Sequence, residues 1–247
     1  MSVDFGRTSD DYATFRAGLP EEFFDYLDQS GVFRTGLKAL DLGTGTGTVA
    51  RGLAVRGASV IASDISHNQL SQINDLTTVA SVAEQLPFLS ESFDLVTAGQ
   101  CWQWFDGPTA ATEIRRVLKP GGRLVIAHFD WIPAPGSVVE VTEKMIEKHN
   151  PKWGWGGRDG RYPKWLDVVG TAGFELIENF EFDLDVAYSH EAWRGRVRAS
   201  AGVGASLPPA QIEAFDLEHQ FALQKEFRSA TLKAPHRVWA LIAKIES

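Results

Sequence analysis

Short apolar runs separated by polar stretches of helical period recur along the first half of the chain. Residues 37 to 42, 58 to 63, 76 to 80, 93 to 98 and 122 to 129 have the length and side chains of buried strands. Segments 20 to 29, 47 to 56, 67 to 74 and 109 to 118 carry apolar residues at helical spacing. Strand and helix in alternation predict an α/β fold, a doubly wound sheet with helices on both faces. After Trp131 the texture changes: a helix is expected at 137 to 149, then a loop rich in Trp, Gly and Arg from Asn150 to Arg161. A helix at 163 to 171 stops near Gly173, and strands follow at 175 to 186 and 237 to 245. Residues 190 to 230 are helical in pattern and have no place inside a sheet.

The first strand runs into Asp41-Leu42-Gly43-Thr44-Gly45-Thr46-Gly47, with helical spacing resuming at Thr48. Glycines at alternate positions allow a sharp turn and bring backbone N–H groups against a ligand. Strand, glycine turn and helix form the first unit of a nucleotide-cofactor site, at the carboxyl end of the sheet. The third glycine falls one place too early for the dinucleotide fingerprint. Asp41 stands two residues before the first glycine, where its charge repels a pyrophosphate and attracts a ligand ammonium. The second strand closes at Asp64, the place of a carboxylate that accepts from both ribose hydroxyls.

This run resembles motif I of the class I S-adenosylmethionine-dependent methyltransferases. Three further segments resemble the same family in the same order: Ala83-Glu84-Gln85-Leu86-Pro87-Phe88, Phe93-Asp94-Leu95-Val96-Thr97-Ala98, and Leu118-Lys119-Pro120-Gly121-Gly122-Arg123-Leu124. The resemblance spans residues 37 to 129. It implies a Rossmann-like, seven-stranded mixed sheet whose last two strands are antiparallel, with S-adenosylmethionine bound and S-adenosylhomocysteine released. The implied cofactor contacts are Asp41, Gly43, Thr44, Gly45, Gly47, Asp64, Ile65, Ala83, Glu84, Gly99, Gln100 and Trp102. One departure stands out: where the family often has an acid for the adenine amino group, this chain has Val82. The stretch Tyr12 to Pro20, with Arg16, resembles the N-terminal segment of trans-aconitate methyltransferase-like members, which can cover the cofactor. These readings divide the chain into an N-terminal covering segment (1–36), a methyltransferase core (37–130, 163–189 and 235–247) and a mostly helical substrate cap (131–162 and 190–234).

Composition narrows the partners. A net charge of −8 argues against a nucleic-acid substrate, and the single cysteine, Cys101, excludes an internal disulfide. No run reaches membrane-spanning length, no secretory signal or metal-ligand spacing is evident, and a cytoplasmic enzyme with a small-molecule acceptor is expected. The ends of the fourth and fifth strands carry Trp102, Trp104, His128 and Trp131, an aromatic mouth that expels water and suits a sulfonium. His128 is the candidate base for a hydroxyl acceptor, while a carboxylate needs none. Arg16, Arg194 and Arg198 are candidate partners for an acceptor carboxylate, the last two sharing a helix face that Arg196 does not. The expected function is methyl transfer to oxygen, a carboxylate or hydroxyl. The alternatives are carbon methylation, as in quinone-pathway enzymes, nicotinamide-dependent oxidoreduction, and cofactor binding without catalysis.

Overall fold

The computed structural model describes residues 17–245. Its strands are β1 Lys38–Leu42, β2 Ser59–Asp64, β3 Thr77–Ala80, β4 Phe93–Gly99, β5 Leu118–Trp131, β6 Glu175–Ser189 and β7 Thr231–Lys244. The helices are α1 Glu21–Gln29, α2 Thr48–Val55, α3 His67–Leu70, α4 Gly107–Val117, α5 Val138–His149, α6 Lys164–Thr171, α7 His190–Arg198 and α8 Pro209–Glu226. The strands form one seven-stranded sheet in the order β3-β2-β1-β4-β5-β7-β6. The pairs β1/β2, β1/β4, β2/β3 and β4/β5 are parallel. β7 runs antiparallel to β5, since Ile132 N donates to Pro235 O at one end and Ile245 N to Gly122 O at the other. The strand order reverses between β1 and β4, so the crevice for a ligand opens at their carboxyl ends.

The chain packs as two compact units. The larger comprises Gly18–Phe129, Arg161–Phe182 and the residues from Val238 on; the smaller comprises Asp130–Gly160 and Asp183–Arg237. Residues 18–36, which the sequence reading separates from the core, belong to the larger unit. The reason is the apolar face of α1, where Phe23, Phe24 and Leu27 are all buried. A core of Leu40, Leu42, Val96, Ala98, Ile114, Leu124 and Ile126 fills one side of the larger unit's sheet. The smaller unit has its own core of Val139, Ile146, Trp193, Val197, Phe215 and Leu223.

Three elements depart from the sequence reading by more than three residues at one end. The helix expected over 67–74 stops at Leu70, because the Ser71 hydroxyl turns back onto Asn68 O at 2.9 Å. β5 begins at Leu118, which pairs with Phe93 ahead of a register shift that absorbs the Lys119-Pro120-Gly121 kink. β7 begins at Thr231, since Pro235 still offers its carbonyl to Ile132 N. Residues 190–230 hold two helices, α7 and α8, with turns between them.

The packing of α1 on α2 is set by Gly52. A Cβ there would overlap the Phe24 ring. Gly52→Ala is therefore expected to cost about 1–3 kcal/mol of stability by overpacking. Urea unfolding followed by circular dichroism checks this, and Gly52→Ala combined with Phe24→Leu should recover part of the loss.

Candidate cofactor site

The site is built at the ends of β1, β2 and β4 in the larger unit. Asp41, penultimate in β1, is 1 % exposed and points beneath the turn. Its Oδ2 accepts from Thr44 Oγ1 at 2.6 Å and its Oδ1 from Thr97 Oγ1 of β4 at 2.7 Å. Its contacts are thus with the protein. Burial pushes its pKa up to about 6, the hydrogen bonds from Thr44 and Thr97 pull it back, and the neighbouring charge of Asp64 adds a smaller upward push.

Above Asp41 the turn is held from several directions. Thr44 N donates to Ser63 O at 2.9 Å, tying the turn to β2. Asp64 Oδ2 accepts from Gly45 N and its Oδ1 from Ser66 N, both at 2.8 Å. Arg51 of α2 donates from Nη1 to Thr46 O at 2.7 Å, and its Nε and Nη2 engage Asp75 at 2.7 and 3.0 Å. Gly43 has φ +58°, and a Cβ there would lie 2.6 Å from Cys101 Cβ. Gly45 has φ +57° and nothing within 4 Å of a Cβ position, so the backbone presents an open face there.

The neighbouring segments are fixed as firmly. Ala83 is buried, while Glu84 Oε1 accepts from Asp106 N at 2.7 Å, where Asp106 caps α4. Leu86 N donates to Glu113 Oε2 at 2.9 Å, and Arg116 donates to Leu86 O and Phe88 O at 3.0 and 2.8 Å. Glu113 and Arg116 brace the 83–88 segment; the sequence reading missed them, though an acid and a base three apart on one helix were the available signal. Gly99 ends β4 with its Cα against Val49 of α2, and Gln100 follows with φ +59° and its N–H on Ala127 O at 2.8 Å. A side-chain-bearing residue in the left-handed region at this strand end is a local strain.

The remaining candidates separate. Ile65 is largely exposed next to Asp64, and Trp104 is 44 % exposed in a short 3-10 turn. Trp102 is only 2 % exposed and packs edge-on to Phe105 at 5.9 Å. His128 is also 2 % exposed, with its ring 4.5 Å from Tyr162 and 4.9 Å from Trp165, themselves stacked at 4.0 Å. Arg16 lies outside the described residues. Trp131, Arg194 and Arg198 belong to the smaller unit. Arg194 and Arg198, the expected partners of an acceptor carboxylate, have acidic partners within that unit. Both converge on Asp216 of α8, Arg194 through Nε at 3.0 Å and Arg198 through Nη1 at 3.0 Å, and both also engage Glu191. Arg196 instead lies over the Trp131 ring at 4.7 Å.

Residues 40–126 match the methyltransferase domain family. An uncharacterised methyltransferase of Mycobacterium tuberculosis is 32 % identical over 176 residues, covering 62 % of this chain and 71 % of that protein. A demethylmenaquinone methyltransferase of Beutenbergia cavernae is 39 % identical over 115 residues, 43 % of this chain and 48 % of that protein. A solved structure assigned as a type II methyltransferase of Anaeromyxobacter dehalogenans shares the fold, with a TM-score of 0.67 at 21 % identity over 94 % of this chain and 98 % of that one. The chain belongs to the methyltransferase domain family and is a class I S-adenosylmethionine-dependent enzyme. The nicotinamide and non-catalytic alternatives fall with that membership.

The residues present fit the cofactor. The open backbone face at Gly45 adjoins the Asp64 carboxylate, which suits ribose hydroxyls, and Asp41 supplies negative potential below for an ammonium. When bound, S-adenosylmethionine supplies a methyl group activated by its sulfonium.

Asp41 gives a pH dependence of defined sign. Its folded pKa of about 6 lies above the ordinary 3.8, so its contribution to stability is full below about 4 and is lost as pH rises through about 6. An ammonium-bearing ligand favours the ionised carboxylate, so binding runs the other way. S-adenosylhomocysteine is expected to bind more tightly at pH 7.5 than at pH 5, with proton release measurable by calorimetry in buffers of different ionisation enthalpy. Asp41→Asn should flatten that dependence. Gly43→Ala should weaken binding about tenfold or more, because the added methyl displaces Cys101.

Proposed function

We infer that the enzyme methylates a small-molecule acceptor at oxygen, and that the acceptor group is a hydroxyl. The observation that carries the reading is the imidazole of His128 in the last residues of β5, one residue beyond the Gly99/Ala127 pair and bounded by the rings of Tyr162 and Trp165. Methyl transfer is an in-line displacement that needs alignment above all. A hydroxyl also needs its proton removed as the oxygen bonds to the methyl carbon and the carbon–sulfur bond breaks. The imidazole takes that proton, and the aromatic surroundings favour an acceptor whose hydroxyl sits on a planar ring. A carboxylate acceptor is less favoured because Arg194 and Arg198 already neutralise Asp216 and Glu191.

Carbon methylation is the second reading, supported by the likeness to the demethylmenaquinone methyltransferase. Isotope-labelled cofactor incubated with panels of phenols, carboxylic acids and demethylquinones, followed by NMR of the product, separates a methoxy group, a methyl ester and a ring methyl. His128→Ala is expected to lower kcat about 10²-fold on a phenol. Full activity in that variant overturns the role given to the imidazole.

A further inference from the structure

The smaller unit holds a buried carboxylate that the methyl-transfer reading leaves without a task. Glu143 lies on α5 and is 5 % exposed. Its two oxygens serve different parts of the chain. Oε1 accepts from Trp131 Nε1 at 2.8 Å, at the end of β5, and Oε2 accepts from Gly157 N at 2.8 Å, in the loop that follows α5. Trp131 is partly buried and also meets Arg196 over its face and Trp193 edge-on at 5.5 Å. Gly157 has φ +70°, and its neighbour Gly156 packs against Trp153 and Glu147 so closely that a Cβ would meet both.

A buried charge is retained only where hydrogen bonds replace its water. Here the two replacements are a side-chain donor from a strand end and a backbone donor from a loop. We propose that Glu143 is a positioning residue whose carboxylate ties Trp131 to the glycine-rich loop 150–160, so that the orientation of the indole and the ordering of the loop change together. Anything that turns Trp131 withdraws one of the two donors and loosens the carboxylate's hold on Gly157. This link is independent of which atom the enzyme methylates.

A carboxylate accepts on both oxygens, whereas the isosteric amide accepts on one and must turn its NH2 toward the other donor. Glu143→Gln therefore sets Trp131 Nε1 and Gly157 N in competition for a single oxygen. Hydrogen exchange followed by mass spectrometry over peptides covering 150–160 is the measurement. Glu143→Gln should speed exchange there about tenfold to a hundredfold, the range of a lost charge-assisted bond. Adding Trp131→Phe removes one competitor, so the double variant should exchange more slowly than Glu143→Gln alone. A purely structural glutamate gives the opposite, with the two defects adding. Unchanged exchange in Glu143→Gln, or faster exchange in the double variant, overturns the proposal. The wild-type enzyme gives a second reading that needs no folded variant. The indole N–H resonance of Trp131 should lie downfield of an exposed indole's and exchange slowly; an ordinary shift with fast exchange overturns the link.

Discussion

The glycine turn depends on one buried carboxyl group. Asp41 has almost no contact with solvent, and a carboxylate in that position survives only if donors surround it. The donors are Thr44, inside the turn, and Thr97, on the neighbouring strand β4. The bond to Thr97 ties β1 to β4 at the point where the strand order reverses, and the bond to Thr44 sets the first bend of the loop. Asp64 then fixes Gly45 from the side, and Arg51 fixes Thr46 from the helix. The cradle exists before any ligand arrives, because a buried carboxyl group whose oxygens must find donors has already ordered the backbone around it.

This arrangement divides labour between two carboxylates that a sequence presents as equals. Asp41 is enclosed and acts through its field; Asp64 spends one oxygen on the turn and one on Ser66, and stands partly open at the end of β2. Between them the turn feels negative charge from below and from the side. A ligand with an ammonium at one end and hydroxyls further along matches that order, whereas a pyrophosphate would face repulsion from both.

The parts of the molecule legible in the sequence are those governed by local pattern. The strand β1, the turn and the helix α2 follow from a short apolar run, three glycines and resumed helical spacing, all within 18 residues of one another. Thr97 as the second donor to Asp41 was not legible, since it lies 56 residues away and only the β1/β4 register brings it there. The same limit explains α7. Helical period correctly puts Arg194 and Arg198 on one face, yet it cannot show that Asp216, on another helix, occupies that face. Arg196, which the pattern turns away from them, reaches Trp131 instead. Local period tells where a side chain points, and tertiary packing decides what it meets.

The smaller unit applies the same accounting to neutral groups. Thr142 Oγ1 donates its only proton to Val138 O at 2.7 Å, so its remaining partners must both be donors. Trp193 Nε1 is one, at 2.9 Å, and His219 Nε2 is the other, at 3.0 Å. The proton count thus assigns His219 the tautomer that carries its hydrogen on Nε2. Burial pushes its pKa down to about 4, which keeps the ring neutral and preserves that assignment across the physiological range. A protonated ring would add a second donor on Nδ1, which meets no acceptor. α5, α7 and α8 are therefore held in one arrangement by a hydroxyl whose three hydrogen bonds leave no freedom in direction, as β1 and β4 are held in the larger unit by a carboxylate.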